Sequence, residues 1–446
     1  MVDNIPAEST HLMKTGLSNA NDALNLLYEA SSRVSESSSS PWESIKYVQQ
    51  GHVTAREVQT YIDYFLKTLL PMSCITTLPD LNQEEVLLTA VLTIASRYIS
   101  LDSITRSFTI HDRLYSDLQM LINSLVWGGS ANRSNGTVVA LLLLTDWHPR
   151  AIHFPRHSPS GKSDSMSWML LGLATTLEQE LDAGDDVKSF IYIYTNLLAT
   201  RLGHECVLLL PQAPPNDPVL ELFLKLVVLS KESSKVLFQS SETTRTLVND
   251  HCYESLLSHF GNLVEDWWRE FEALPIASPM RELLQIEYEF TRISINSLAL
   301  QCSLEQGKAM PSDELFVVRV VSASTSLLHI ITAESFPLRT CPVRVFTRII
   351  SAAVFLLKSV AIPGARSPMP LLHSLISCMR ANAVDDVHLI LKYASMLEDM
   401  LVRVERDLAG HRLSSRSATS GGIVDWNTLF GDFEGMEFMD FLLLQG

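Results

Sequence analysis

Four side chains near the middle of the chain are of types that bind metal ions. They are one carboxylate and three imidazoles, from Asp146, His148, His153 and His157. A zinc site needs such ligands at short, fixed spacings on a rigid element. Here the intervening chain contains Pro149 and Pro155 and continues into a polar segment. The spacing therefore favours residues that hydrogen-bond the ends of helices over a metal site.

Two neighbouring carboxylates, Asp385 and Asp386, are the second candidate for chemistry. They resemble the aspartate pair with which all-helical terpene synthases hold magnesium and diphosphate. That motif ends in a further aspartate, whereas here His388 and Leu389 follow. We interpret the pair instead as the N-terminal cap of a helix, where acidic side chains meet the positive end of the helix dipole. A terpene-synthase-like enzyme remains one alternative.

Other catalytic signatures are missing from the sequence. It has no Gly-x-Ser-x-Gly elbow, no glycine-rich phosphate loop and no His-Glu-x-x-His zinc motif. We therefore predict that the protein is not an enzyme, with no catalytic residues and no bound cofactor or metal.

The most apolar stretch of the chain lies within residues 133–155. Its centre, Val138–Leu144, is an unbroken apolar run. Thr137 could cap the run with its hydroxyl, and Pro149 lacks the backbone N–H needed to continue a helix. A helix that is apolar on all sides is buried among other helices, so we expect this one at the centre of the fold. The predicted core motif around it comprises Thr137, Trp147, His148, Pro149 and Arg150.

Apolar side chains at helical spacing recur along the rest of the chain, without the alternation that marks strands. The sequence therefore predicts an all-α fold, a multi-helix superhelical or bundle domain in two halves with disordered termini. The predicted segments are an N-terminal segment with a Ser-rich linker (1–52), a first helical half (53–210), a Pro-rich break (211–218), a second helical half (219–410) and a flexible linker with an acidic tail (411–446).

Caps and breaks define individual helices within this plan. We predict a helix over 54–71, a helix capped by Asn82, an exposed loop over 155–166, and helices over 281–300 and 385–408. The helix over 281–300 carries apolar residues on a face wide enough for burial on two sides.

Composition and charge exclude some partners. The chain has 446 residues, of which 46% are hydrophobic and 19% are charged, and its formal net charge is -16. Nucleic-acid affinity comes largely from Lys and Arg that displace counterions, so the folded body is not expected to bind phosphates.

The first ten residues contain no apolar signal region, and the central apolar run is shorter than the roughly 20 residues that span a bilayer. No secretion signal and no membrane partner are expected.

The last segment alternates acidic and apolar residues. From Asp425 to Leu444 it contains no Lys or Arg. Such alternation is typical of disordered activation segments, whose aromatic side chains fold into a groove of a coactivator. The predicted contacts are Trp426, Leu429, Phe430, Phe433, Phe438 and Phe441. The alternative is a C-terminal helix that docks on the body.

Several blocks of the chain resemble, in the same order, the middle homology region of fungal zinc-cluster (Zn₂Cys₆) transcription factors. They are LSNANDALNLLYEA, RSNGTVVALLLLTDWHPRAIHFP, WMLLGLATTLEQELD, LLQIEYEFTRISINSLAL, CPVRVFTRIISAAVFLLK and ANAVDDVHLILKYASMLE. The resemblance covers most of residues 17–408. Two features depart from it: the six-cysteine zinc cluster is missing, and Thr176 stands where the family's tryptophan-led helix often carries an Arg.

The resemblance implies a transcription regulator of RNA polymerase II genes in a fungal nucleus, with a metabolic or biosynthetic pathway as its target. It implies zinc only in the missing cluster, and DNA contact only through a missing module or a partner protein. A coactivator, another regulator or a second copy of the chain are the implied partners. The alternative from a different class is a helical scaffold or small-molecule-binding protein without a transcriptional role.

Overall fold

The computed structural model describes residues 41–99, 104–129, 132–150, 161–181, 183–202, 204, 206, 208–249, 253–305, 313–360 and 367–414. These residues form α-helices and short helical turns, and none of them lies in a strand. The predicted all-α fold is confirmed for this part of the chain. His153, His157 and the acidic tail lie outside the described residues.

Fifteen α-helices follow one another in the described residues. They are α1 (Lys46–Gln49), α2 (Ala55–Tyr64), α3 (Glu85–Tyr98), α4 (Ile104–Val126), α5 (Asn135–Asp146), α6 (Gly161–Leu181), α7 (Asp185–Leu202), α8 (Pro218–Leu237), α9 (Ser241–Asn249), α10 (Tyr253–Ala273), α11 (Met280–Glu305), α12 (Glu314–Thr332), α13 (Val343–Ser359), α14 (Met369–Ala381) and α15 (Leu389–Ser414). A π-helical turn (Phe65–Leu69) and a 3-10 turn (Leu70–Met72) continue α2, and further 3-10 turns span Pro41–Ser44 and Leu338–Thr340.

The chain divides into two compact units, one up to Ala55 and one from Arg56 onward. In the first unit, the described residues form a 3-10 turn and α1. The second unit contains α3 to α15. Within it, α7 and α8 pack against each other across the Pro-rich segment 211–218. The proposed division into halves at this segment stays a prediction.

Two helices of the second unit are buried on all sides. In α5, every residue from Gly136 to Asp146 is buried, and in α13 every residue from Val343 to Ser359 is buried. α5 packs against α3, α6, α7 and α13, and α13 packs against α11, α12 and α15 as well. Each fully buried Leu or Val side chain contributes about 1.5–3 kcal/mol. The apolar run thus places α5 inside the core, as the sequence predicted.

The two-sided burial predicted for the helix over 281–300 is also confirmed. α11 packs against α8, α10, α12 and α13. The residues of its wide apolar face are all buried: Leu283, Leu284, Ile286, Tyr288, Phe290, Ile293, Ile295 and Leu298.

The start of α5 corrects the predicted cap. The N-cap is Ser134, with extended backbone, and its Oγ accepts a hydrogen bond from the N–H of Thr137 at 3.1 Å. The Thr137 hydroxyl instead donates to the carbonyl oxygen of Asn132 at 2.6 Å. The Asn-Gly pair lies in the first turn of the helix, where Gly136 faces the Glu84 side chain so closely that a Cβ would clash with it. Ser134 donates a short hydrogen bond to the same Glu84.

The predicted starts of two other helices, α3 and α6, are wrong. Asn82 does not cap α3, because its N–H and its side-chain amide both donate to Asp80 Oδ1, and the helix begins only at Glu85. The predicted loop over 155–166 is helical from Gly161 onward, in the first turn of α6.

Two predicted helix ends also differ. The helix predicted over 54–71 is α-helical only to Tyr64, and its continuation through π and 3-10 turns includes Pro71 in the final turn. α15 extends to Ser414, four residues into the predicted linker.

α12 is long and apolar enough to cross a membrane, by length and composition alone. In this fold it packs against α11, α13 and α14. Its inward face includes Phe316, Val320, Leu327 and Ile331, which are all buried. α12 therefore packs within the fold as a core helix does.

Candidate functional site

The last residue of α5 and the four residues after it, Asp146–Arg150, form the α5 corner. Asp146 lies at the C-terminal end of the buried helix and is 1% exposed. Its carboxylate accepts a hydrogen bond from the Tyr194 hydroxyl at 2.5 Å and forms a short ion pair with Arg344, at the start of α13. Arg344 also donates to the carbonyl oxygen of Met72 at 3.3 Å. One buried carboxylate therefore joins three distant parts of the chain.

The protonation state of this cluster follows from burial and charge. Burial acts to lower the pKa of Arg344, but Asp146 and Tyr194 together raise it above its ordinary value. Burial raises the pKa of Tyr194, and Asp146 raises it further, so the phenol keeps its proton. Burial raises the pKa of Asp146, while Arg344 and Tyr194 oppose the rise. The phenol therefore donates its proton to Asp146 in a hydrogen bond, and Asp146 pairs with the charged guanidinium of Arg344.

Trp147 anchors the corner in the core. It is 1% exposed, and its indole Nε1 donates to the carbonyl oxygen of Thr340 at 3.0 Å. Its ring contacts Phe65 edge to face, with 6.2 Å between the ring centroids. The hydrogen bond satisfies the indole N–H, which would cost free energy if it were buried without a partner.

His148 and Pro149 continue the corner. His148 Nε2 lies 2.9 Å from Ser167 Oγ, and the His148 carbonyl oxygen accepts from Arg97 at 2.6 Å. Burial, aided by Arg201 and Arg97, lowers the pKa of His148 to about 3, so the imidazole is neutral at physiological pH. Pro149 is buried and, having no N–H, leaves no unsatisfied donor.

Arg150 forms the outer edge of the corner. Its backbone N–H donates to His111 Nε2 at 2.8 Å, and its guanidinium lies over the Phe108 ring, 4.1 Å from the centroid. Because His111 Nε2 accepts this bond, a neutral ring must carry its proton on Nδ1, which lies 3.0 Å from both Thr93 O and Ser96 Oγ. Burial lowers the pKa of His111 to about 4, which keeps that ring neutral.

Arg97 links the corner to the aspartate pair. It donates to both oxygens of Asp385, from Nε at 2.8 Å and from Nη2 at 3.1 Å, in addition to its bond with the carbonyl oxygen of His148. Asp386 pairs with Arg150 at 3.3 Å. The sequence pattern predicts the corner residues but not Arg97, Tyr194 or Arg344, whose partners in the corner lie far from them in the chain.

The geometry corrects the role assigned to the aspartate pair. α15 begins at Leu389, so neither aspartate caps it. Asp385 Oδ1 accepts from the N–H of Val387 at 3.1 Å, forming a turn before the helix. Both carboxylates face arginines and not a cation site.

Two of the four residues that could have formed a metal site, Asp146 and His148, lie in the described part of the chain and bind other partners there, whereas His153 and His157 lie outside it. Asp146 is bound to Arg344 and Tyr194, and His148 faces Ser167. Among the residues that the structure describes, no group of three His, Cys, Asp or Glu side chains is arranged to hold a metal ion.

A small pocket, which we call the arginine pocket, lies beside Asp146. Its volume is about 20 Å³. It lies between α6, α7 and α13, and its lining includes Asp146, Tyr194, Leu197, Arg201, Arg344 and Arg348. A second, larger cavity of about 370 Å³ lies near the end of the α2 continuation, with mainly apolar walls from Leu66, Leu70, Val219, Phe223, Ile276 and Met280.

Comparison with known proteins gives one informative similarity. The chain is 29% identical to the transcription factor hmgR of Aspergillus fumigatus, over an alignment that covers 84% of this chain. The chain spans 66% of the length of that relative. No family model matches the sequence. No solved structure matches it either. The similarity to a fungal transcription factor extends through most of the helical body.

Proposed function

We propose that this chain is a transcription regulator of RNA polymerase II genes in a fungus. The observation that carries the proposal is the 29% identity to a fungal transcription factor across 84% of the chain. So extended a similarity includes the buried helices that form the core, and not merely one short motif. The helical body is then the regulatory part, which binds a partner or a small effector and controls access to the acidic tail.

The residues of the aspartate pair support a regulator over an enzyme. A terpene-synthase-like enzyme would need free carboxylates to hold magnesium. Asp385 is held by Arg97 through two hydrogen bonds, and Asp386 is paired with Arg150. These contacts give the carboxylates a role in holding the fold together.

In this proposal the acidic tail activates transcription. Its five carboxylates between Asp425 and Asp440 keep the interleaved aromatic side chains in water until a coactivator groove binds them. DNA contact comes from a zinc-cluster module outside this sequence or from a partner protein. The target is a metabolic or biosynthetic pathway, and the protein acts in the nucleus, either alone or as a homodimer.

A reporter experiment tests the tail. Residues 422–446 are fused to a heterologous DNA-binding domain, and we expect the fusion to drive a reporter gene. Replacing Phe430, Phe433, Phe438 and Phe441 by Ala should lower the signal at least about tenfold, because aromatic anchors dominate such interfaces.

The matched control replaces four other tail residues, Asn427, Thr428, Gly431 and Gly435, by Ala. It changes as many positions but keeps every aromatic and acidic side chain, so its signal should stay close to that of the unmodified fusion. An inactive parent fusion, or equal losses in the two variants, would remove the activation role and favour a helical scaffold or small-molecule-binding protein.

The nuclear and regulatory parts of the proposal have their own test. A fluorescent fusion of the natural gene product should accumulate in the nucleus, and deletion of the gene should change the transcripts of one connected group of metabolic genes. Exclusion from the nucleus together with an unchanged transcript profile would contradict the proposal.

A further inference from the structure

The arginine pocket brings three guanidinium groups to one small cavity. Arg201, Arg344 and Arg348 line it and are only 6%, 9% and 3% exposed. The cavity volume is about 20 Å³. A cavity of roughly 10–15 Å³ already holds one water-sized group. The pocket therefore has room for a polar group of a few atoms beside the arginines.

Arg348 has hydrogen-bonding capacity that the described residues do not use. A guanidinium carries five N–H donors. Within the described part of the chain, Arg348 makes a single hydrogen bond, from Nε to Glu287 Oε2 at 3.0 Å. One face of its guanidinium also contacts the Phe290 ring, 3.9 Å from the centroid. Its two terminal nitrogens are left as donors at the pocket wall.

The neighbouring charges add to the attraction for an anion. Burial lowers the pKa of Arg348, and Arg201 and Arg344 lower it further, while Glu287 opposes them. Asp146 is already engaged by Arg344, and Glu287 is already engaged by Arg348. An additional anion would be attracted to the guanidinium of Arg348 in a site with little water to screen the charges.

Three leucines form the apolar part of the wall, which also includes Thr145, Ser167 and Thr347. Leu171, Leu197 and Leu198 line the pocket on α6 and α7. Leu171 and Leu198 are buried, whereas Leu197 is partly exposed and lies where the pocket meets the surface. A ligand in this pocket would place its charged end against Arg348 and a short apolar remainder against the leucines.

We propose that the arginine pocket binds the carboxylate group of a small organic acid, with the terminal nitrogens of Arg348 as its principal donors. A carboxylate matches the planar fork of a guanidinium with two parallel hydrogen bonds. This inference specifies the chemical class of the small effector in the proposed function. Carboxylate binding is measured on the purified chain and is independent of the proposed function. Only the regulatory role of this binding rests on the proposed function.

The first experiment titrates the purified full-length chain with sodium formate and sodium acetate, with sodium chloride at the same ionic strength as the reference. We expect the two carboxylates to raise the melting temperature along saturable curves and to release heat in calorimetry, and chloride to give no saturable response. Equal responses to chloride and acetate, or no saturable response to either carboxylate, would overturn the proposal.

Two variants locate the binding. Leu197→Glu adds a carboxylate at the mouth of the pocket, which should compete with added acetate and lower its association constant at least about tenfold. The matched control is Leu263→Glu, which adds the same charge at a 39% exposed leucine of α10 outside the pocket lining. Its association constant should stay within about twofold of the parent.

Arg348→Lys keeps a positive charge beside Glu287 but removes the planar fork. It should weaken acetate binding by at least about tenfold, because an ammonium cannot form the two parallel bonds. If this variant does not fold, Leu197→Glu still decides the question. Unchanged acetate binding in Leu197→Glu would overturn the proposal, whereas loss of the reporter signal alone would affect only the transcriptional role.

Discussion

Asp146 and Arg344 are separated by 198 positions in sequence and meet in the core. Both side chains are buried, so each charge depends on the other for neutralisation. Removing one partner of a buried pair leaves the other charge uncompensated, which typically costs about 3–5 kcal/mol. An exposed pair costs only about 0–1 kcal/mol, because water solvates the remaining charge.

We therefore expect Asp146→Ala to lower the free energy of unfolding by about 3–5 kcal/mol. The matched control is Glu398→Ala, which removes a carboxylate 43% exposed from its pair with Arg380. Urea denaturation of both variants provides the comparison. Equal effects of the two substitutions would show that burial does not strengthen the dependence of Arg344 on its partner.

Three histidines, of which His111 and His388 are buried and His148 is partly exposed, give the protein a defined response to acid. Burial is the main cause that lowers the pKa of His111 to about 4 and the pKa values of His148 and His388 to about 3. In an unfolded chain, the pKa of each is about 6.5. Between these values the unfolded chain binds more protons than the folded one, so stability decreases as the pH falls below about 6.5.

The expected slope is at most about 1.4 kcal/mol per pH unit for each histidine, and these three residues contribute no slope well above pH 6.5. His388→Gln should remove the contribution of one proton, about 1.4 kcal/mol per pH unit, from the slope of the unfolding free energy between pH 6 and 5. Urea denaturation across this range measures the slope. Between pH 7.5 and 8.5, parent and variant should have equal slopes, which is the internal control. An unchanged slope below pH 6 would mean that His388 is not kept neutral by the fold.

At the residue scale, the sequence predicted the corner but not its partners. Trp147, His148 and Pro149 were recognisable because a tryptophan and a proline after an apolar run mark a buried helix end. Arg97 and Arg344 were not, because a pairing across hundreds of positions depends on how the helices pack. The sequence does show an arginine within an otherwise apolar helix, but this pattern does not indicate which residue the arginine pairs with.

Among the elements, α5 shows where local rules succeed and where they fail. Seven consecutive apolar residues predict a buried helix whatever surrounds it. The choice of cap is less determined, since Ser134 and Thr137 have similar side chains and the Asn-Gly pair favours a turn when seen alone. Tertiary contact decides it: Glu84 on the neighbouring segment accepts from Ser134 and packs against Gly136.

The glycine at this contact provides a test at the element scale. Gly136→Ala should destabilise the protein, although Ala is favoured over Gly in a helix by about 1 kcal/mol. The added methyl would push Glu84 away from Ser134, and overpacking of this kind costs about 1–3 kcal/mol.

Gly172→Ala in α6 is the matched control, because a Cβ there meets nothing within 4 Å. It should stabilise the protein by about 0.5–1 kcal/mol. The signs of the two melting-temperature shifts should therefore be opposite. A stabilising Gly136→Ala would show that Glu84 moves aside without loss.

For the whole molecule, charge and its distribution oppose direct binding to DNA. The chain has 50 acidic and 34 basic residues. Three of the cations, Arg97, Arg344 and Arg348, are also enclosed in the core and bound to carboxylates. Cations that cannot reach a phosphate release no counterions.

We expect the purified chain to bind a random DNA duplex more weakly than about 10⁻⁴ M at physiological salt, the weak end of non-specific binding. Fluorescence anisotropy of a labelled duplex measures this, with a fusion to a heterologous DNA-binding domain as the positive control. Tight, salt-dependent binding by the chain alone would show that the body itself contacts DNA.

The whole-molecule plan was predictable only in part. Helical periodicity and the absence of alternation gave the all-α class. The second fully buried helix, α13, carries Arg344, Arg348 and Lys358, which sequence rules place on a surface. Their burial follows from partners on other elements, such as Asp146 and Glu287, and those partners become visible only when the helices are assembled.

The ion pairs of the core also determine how the polypeptide could be divided. Arg97 with Asp385 and Asp146 with Arg344 each join a residue before the Pro-rich segment 211–218 to one after it. A chain cut within that segment would leave an unmatched buried charge of each sign on both fragments. We expect each fragment to be insoluble when produced alone and the two to assemble when produced together, so that the molecule behaves as a split protein reconstituted by fragment complementation.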